Sequence, residues 1–201
     1  MSSIALSGNA GGTGVFTLAS PSSSSNYTLT LPEGTGTLTA NGVNSNIVAG
    51  TAVASTSGTS IDFTGIPGWV KRLTITLFGV STSGTSNQLF QLGTSGGIIS
   101  SGYGAGATTT GAGTANANYT AGIGCTLNGA GDIKHGQIIF SLHNASTNLW
   151  VATGILAMSN GGYVCTMGGS VTLSSALTSV RCTTVNGTDT FDAGTVNILY
   201  E

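Results

Sequence analysis

The run Ser60-Ile-Asp-Phe-Thr-Gly-Ile-Pro-Gly-Trp-Val-Lys-Arg-Leu-Thr-Ile-Thr-Leu-Phe-Gly79 decides the fold class. Leu73, Ile75 and Leu77 alternate with Thr74 and Thr76, so one face of an extended segment is apolar and the other hydroxylated. A period of two marks a strand packed on one side and wetted on the other. Ahead of it, Gly65-Ile-Pro-Gly68 reads as a tight turn, with Pro67 fixing φ and Gly68 free to take the positive φ of a type II turn. On this reading the strand over 61–63 lies beside the strand that leaves the turn, and Trp69 plugs the end of a β-sandwich. Trp69, Leu73, Ile75 and Leu77 are the expected structural core.

Outward from this stretch, the composition is that of a charge-poor, glycine-rich chain. Its 201 residues include 33 glycines, four Lys/Arg and six Asp/Glu, for a net charge of −2 and a mean hydropathy of +0.31. Disordered chains are the reverse, rich in charge and poor in apolar residues. No apolar stretch approaches the ~20 residues of a membrane helix. The first residues, Met1-Ser-Ser-Ile-Ala-Leu-Ser7, lack the basic and apolar regions of a signal peptide, so none is expected. The four basic residues, Lys71, Arg72, Lys134 and Arg181, are too few to neutralise a run of phosphates, which excludes nucleic acid as a partner. So little charge protects a free monomer poorly against association and suits a component of an assembly.

Two regions are expected. In residues 1–45, Gly12–Ala19, Asn26–Pro32 and Glu33–Thr39 form three short alternating segments. They are too small to fold alone. Val15, Phe16, Leu18, Leu29, Leu31 and Leu38 therefore need partners, most simply copies of themselves, and form the expected oligomer and docking interface. From 46 to 201 the pattern gives strands over 47–53, 60–63, 70–78, 88–92, 98–101, 119–127, 136–142, 149–156, 162–167, 171–173, 177–184 and 194–200, and no helix. Asn144-Ala-Ser-Thr-Asn148 reads as a hairpin loop, and Asn186-Gly187 carries the signal of a type I′ turn. The low-complexity stretch 102–118 reads as a long surface loop. Short strands with Gly-rich turns imply an all-β fold: a short N-terminal strand arm followed by a jelly-roll-like antiparallel β-sandwich.

Nothing in the residues supplies catalytic, cofactor-binding or metal-binding chemistry. A nucleophile needs an adjacent base and an orienting group, and neither His135 nor His143 sits in such a pattern. Asp189 and Asp192 form the closest acidic pair, in a polar turn, without the dense acidic loop of a calcium site. Gly102, Gly104 and Gly106 lack the strand-to-helix setting and the Lys of a phosphate loop. Cys125, Cys165 and Cys182 are an odd, widely spaced set that reads as three small buried apolar residues.

Gly12-Thr-Gly-Val-Phe-Thr-Leu-Ala-Ser-Pro21 and Asn26-Tyr-Thr-Leu-Thr-Leu-Pro-Glu-Gly-Thr-Gly-Thr-Leu38 resemble a module of tailed-bacteriophage fibre and appendage proteins. The stretch from Ile61 to Ile75 and the end, Thr183-Thr-Val-Asn-Gly-Thr-Asp-Thr-Phe-Asp-Ala-Gly-Thr-Val-Asn-Ile-Leu-Tyr-Glu201, are similar to a domain found at the C-terminus of such proteins. The resemblance implies a non-enzymatic virion structural protein, a homotrimer, made in the host cytoplasm and placed on the virion surface. Tail fibres usually begin with a sizeable anchoring domain, whereas here the strand module comes almost at once. That matches a capsid decoration (cement or head fibre) protein bound to the major capsid protein or another virion structural protein. A short tail fibre or receptor-binding tip is the alternative. A host surface glycan is the other partner this setting allows. A carbohydrate-binding module detached from an enzyme is the third reading, with Trp69, Trp150, Tyr103 and Tyr119 as the candidate stacking aromatics.

Overall fold

The computed structural model describes residues 47–111, 114–127 and 129–201, together with Gly11, Ser24 and Asn26. The chain divides between Val43 and Asn44, and the fold is that of the second unit. Val15, Phe16, Leu18, Leu29, Leu31 and Leu38, with the three expected N-terminal strands, lie outside the described residues.

The described residues form fourteen strands and no helix: β1 (Val48–Ala49), β2 (Val53–Ala54), β3 (Ile61–Thr64), β4 (Arg72–Thr82), β5 (Gln88–Thr94), β6 (Gly97–Ile98), β7 (Gly104–Thr110), β8 (Thr114–Tyr119), β9 (Ile123–Cys125), β10 (Lys134–Asn144), β11 (Leu149–Met158), β12 (Tyr163–Thr172), β13 (Ser179–Thr184) and β14 (Phe191–Tyr200). The larger sheet runs β1-β14-β4-β10-β11-β12-β7-β8, with β2 also on β14, and the smaller runs β3-β13-β5-β6, with β9 also on β5. All pairings are antiparallel. The fold is all-β, two antiparallel sheets packed as a sandwich.

The core follows from the alternation. Leu73, Ile75 and Leu77 on β4 are buried, and so are their neighbours Ile138 and Phe140 on β10 and Val196 and Ile198 on β14. The smaller sheet faces them with Phe90, Leu92, Val180 and Cys182, all within one apolar cluster. Burying such side chains at ~25 cal/mol per Å² is the main force holding the sheets together.

The decisive stretch departs from expectation in three ways. β3 and β4 are not neighbours: β3 pairs with β13 in the smaller sheet and β4 lies in the larger one, so the connection crosses from sheet to sheet. The positive φ is at Gly65 (74°) rather than Gly68. The turn spans Pro67–Val70, closed by the Val70 N–H donating to the Pro67 carbonyl at 3.1 Å. That turn points Val70 and Ile66 inward, at 2% and 4% exposure, and leaves Trp69 outside at 48%. Trp69 is therefore not in the core. Its ring lies on that of Tyr200 (centroids 5.7 Å apart, 54° between planes) at the rim, and the plug is aliphatic.

Other boundaries also move. The stretch 102–118 contains β7 and β8, paired from Ala105–Tyr119 to Thr110–Thr114. Small residues conceal the period there, because Ala, Gly and Thr give little apolar contrast between faces. The expected strand over 119–127 splits into the end of β8 and β9, on different sheets. The two expected strands over 162–173 are one, β12. The Asn144–Asn148 loop does close the β10–β11 hairpin, with Asn148 at φ 52°. At Asn186-Gly187 only the glycine has positive φ (67°). A type I′ turn needs it at both central residues; here the Gly187 N–H donates to the Thr184 carbonyl at 3.0 Å. β14 starts at Phe191, with register shifts on either side of Ala193.

Candidate interaction face

The outer face of the larger sheet is built by the side chains that the alternation turns away from the core. Thr74, Thr76 and Phe78 come from β4, Gln137 and Ile139 from β10, Val151, Thr153 and Ile155 from β11, and Val164 and Thr166 from β12. Cross-strand register assembles them into rows. One row runs Leu199, Thr74, Ile139, Thr153 and Gly168, and the next Asn197, Thr76, Gln137, Ile155, Thr166 and Thr108. Several members are large, apolar and exposed: Phe78 at 72%, Ile155 at 58%, with Val151 and Val164 also open to solvent. Phe78 packs edge-on against His135 (82° between planes, centroids 5.3 Å apart).

Three depressions mark this face. One of about 180 Å³ is lined by Ile47, Arg72, Thr74, Gln137, Ile139 and Leu199, with Tyr200 and Glu201 at its end. The next, about 150 Å³, shares Gln137 and Ile139 and continues to Thr153 and Ile155. The third lies over Gly106, Thr108, Thr166 and Gly168. The first two are below the ~300 Å³ at which small-molecule sites begin, and the third, at about 360 Å³, is the most open of the three. Together they form shallow relief on an open sheet rather than an enclosed site.

Charge is nearly absent here. Arg72 and Glu201 neutralise each other at 3.1 Å. Arg181 is committed to Asp62 on the smaller sheet through two 2.7 Å contacts. Lys134 is fully buried and donates to the Asp132 carbonyl at 3.0 Å. Burial lowers the Lys134 pKa, against the opposing pull of Cys125 and Asp132.

Among the described residues, the one concentration of reactive groups lies inside. Cys125 and Cys165 lie together beside Lys134, and Thr126 contacts both sulfurs, at 3.6 and 3.8 Å. The neighbouring Cys165 side chain, then burial, push the Cys125 thiol up, and burial does the same at Cys182. All three cysteines are free, with no exposed surface. No substrate reaches them, so their setting is that of core residues.

Other residues singled out from the sequence hold loops. The Asp189 carboxylate accepts from the Ser86 N–H at 2.9 Å and from Asn186 Nδ2 at 2.6 Å, and Asp192 accepts from the Ser81 hydroxyl. His135 Nδ1 accepts from the Gly79 N–H at 3.3 Å. His143 is exposed near the end of β10. Among the described residues no group of three His, Cys, Asp or Glu could hold a metal ion. Of the four candidate stacking aromatics, Trp150, Tyr103 and Tyr119 are buried at 2%, 3% and 7% exposure, leaving Trp69 alone. The exposed apolar face escaped the sequence reading because Ile139, Ile155 and Val164 sit within nearly continuous apolar runs, whose two faces composition does not tell apart.

No family model, curated protein or solved structure matches the chain.

Proposed function

We propose that this chain is a non-enzymatic structural protein of a tailed-bacteriophage virion: a homotrimeric capsid decoration protein that binds the shell through residues 1–45 and projects its β-sandwich. The observation that carries the reading is the outer sheet face, broad, open and almost uncharged, on a sandwich whose reactive side chains are buried or tied into loops. Such a surface recognises other protein surfaces by shape and apolar contact. The sequence resemblance to phage appendage proteins supplies the setting.

The arm works by adding backbone hydrogen bonds and apolar area across neighbouring shell subunits. Each contact is weak, but three linked arms raise avidity by ~10²–10⁴ over one. An arm with so few ions is little affected by salt, which screens charge and not apolar contact. A short tail fibre or receptor-binding tip is the second reading, favoured by the exposed Trp69 beside Tyr200 at the rim of the sandwich. The carbohydrate-binding module keeps one of its four aromatics, too few for a stacking platform.

The test is reconstitution. Purified protein re-binds particles lacking it, binding persists in high salt, and deletion of residues 1–45 abolishes it. Particles without the protein adsorb to host cells normally but tolerate heat and osmotic stress less well. Robust particles that fail to adsorb would replace decoration with the tail-fibre reading.

A further inference from the structure

We propose that the outer face of the larger sheet is where a second copy of this chain docks face to face, a two-fold contact between sandwiches of different trimers that is separate from any made by residues 1–45. Three observations lead there. The first is apolar exposure: of the nine large exposed apolar side chains among the described residues, Phe78, Val151, Ile155 and Val164 stand on this one face and Ile47 borders it, and apolar patches mark interaction sites on soluble domains.

The second is size. Strands ~4.8 Å apart rising ~3.3 Å per residue make six strands of about eight residues roughly 24 by 26 Å, on the order of 600 Å² in projection. That approaches the ~800 Å² each partner contributes to a standard stable interface.

The third is charge. The ionic side chains at this face, Arg72 and Glu201, are already paired, and the rows between are Thr, Gln, Asn, Ile and Val. Two copies can stack with no like charges opposed and no lone ion desolvated. A charged foreign partner would find nothing here to read. The threonines fit the same occupant, since a hydroxyl both donates and accepts and can pair with its own kind across an interface.

A spin label placed at Thr153→Cys in the full chain tests the inference. Thr153 is exposed, and the native cysteines have no exposed surface, so labelling is selective. The expected result is dipolar broadening between labels that disappears when labelled chain is diluted into excess unlabelled chain. Ile155→Glu, with circular dichroism unchanged, then removes the broadening and weakens association by at least about tenfold, as a desolvated lone carboxylate should. Because residues 1–45 can hold an oligomer together on their own, the broadening decides. Oligomers in which position 153 shows no broadening would overturn the proposal by placing the contact elsewhere. A monomer at tens of micromolar by sedimentation would overturn it too, and leave the face to a different protein.

Discussion

Trp69 shows how far a residue's identity can mislead about its place. A lone Trp beside a Pro-Gly turn and an amphipathic strand fits a core plug by size and hydropathy. The turn geometry assigns that position to Ile66 and Val70 and leaves the indole half exposed on Tyr200. Trp69→Ala should therefore destabilise the sandwich by only about 1 kcal/mol, the transfer value of a partly buried ring. Phe140→Ala, at 1% exposure, should lose roughly 3–5 kcal/mol. Urea unfolding of the two variants side by side checks the contrast, and equal losses would return Trp69 to the core. Tyr103 makes a second residue-scale test. Its hydroxyl accepts from the Leu92 N–H at 2.7 Å, and burial pushes its pKa up to about 12, the bond to Leu92 acting the other way. A raised pKa means the fold favours the neutral phenol. That contribution is complete below the usual value near 10.0 and is lost as pH rises from there to about 12. Tyr103→Phe should flatten this alkaline decline while costing roughly 1–3 kcal/mol at pH 7, because the buried Leu92 N–H loses its acceptor.

At the scale of elements, the period-two signal was legible wherever large apolar residues alternate with threonine, as along β4. The β10–β11 hairpin was legible too, from the Asn-flanked loop between two apolar runs. It failed on β7 and β8, where Gly104-Ala-Gly-Ala-Thr-Thr-Thr110 offers no contrast in size or polarity. There the neighbours make the strand: β12 and β8 supply hydrogen-bond partners on both sides, from Ser170–Gly104 to Val164–Thr110 and across to Ala105–Tyr119. Sheet membership was equally hidden, since no local pattern says that the Gly65–Val70 connection crosses between sheets. β14 carries the clearest element-scale constraint. Gly194 sits at φ 89° in its irregular start, and an added Cβ would meet the backbone of Gly79 at 2.4 Å. The left-handed conformation adds ~1–2 kcal/mol for a non-glycine residue, and the close approach adds overpacking of ~1–3 kcal/mol. Gly194→Ala should thus destabilise by roughly 2–5 kcal/mol, whereas Gly187→Ala, with nothing within 4 Å, should show only the conformational part. Thermal melts of both variants separate the two terms.

For the whole molecule, composition set the class: an all-β, charge-poor chain fit for an assembly. It did not locate the exposed outer face of the larger sheet, because that face exists only once six strands bring their outward residues into register. The six apolar residues of the expected arm, Val15 to Leu38, lie outside the described residues, so their role rests on sequence alone. On the proposed function, the sandwich projects from a virion shell. A consequence follows for solution behaviour. With Arg72 and Arg181 paired, Lys134 buried and only Lys71 exposed outside an ion pair among the described cations, raising salt from low to molar concentration should leave self-association nearly undiminished, as measured by sedimentation; a steep loss would point to ionic contacts instead. The most direct measurement of the central claim is electron cryomicroscopy of the intact particle. The account predicts trimeric densities of sandwich size standing on the capsid lattice, lost from particles that lack the protein. Density confined to the tail tip, or no density on the particle at all, would contradict it.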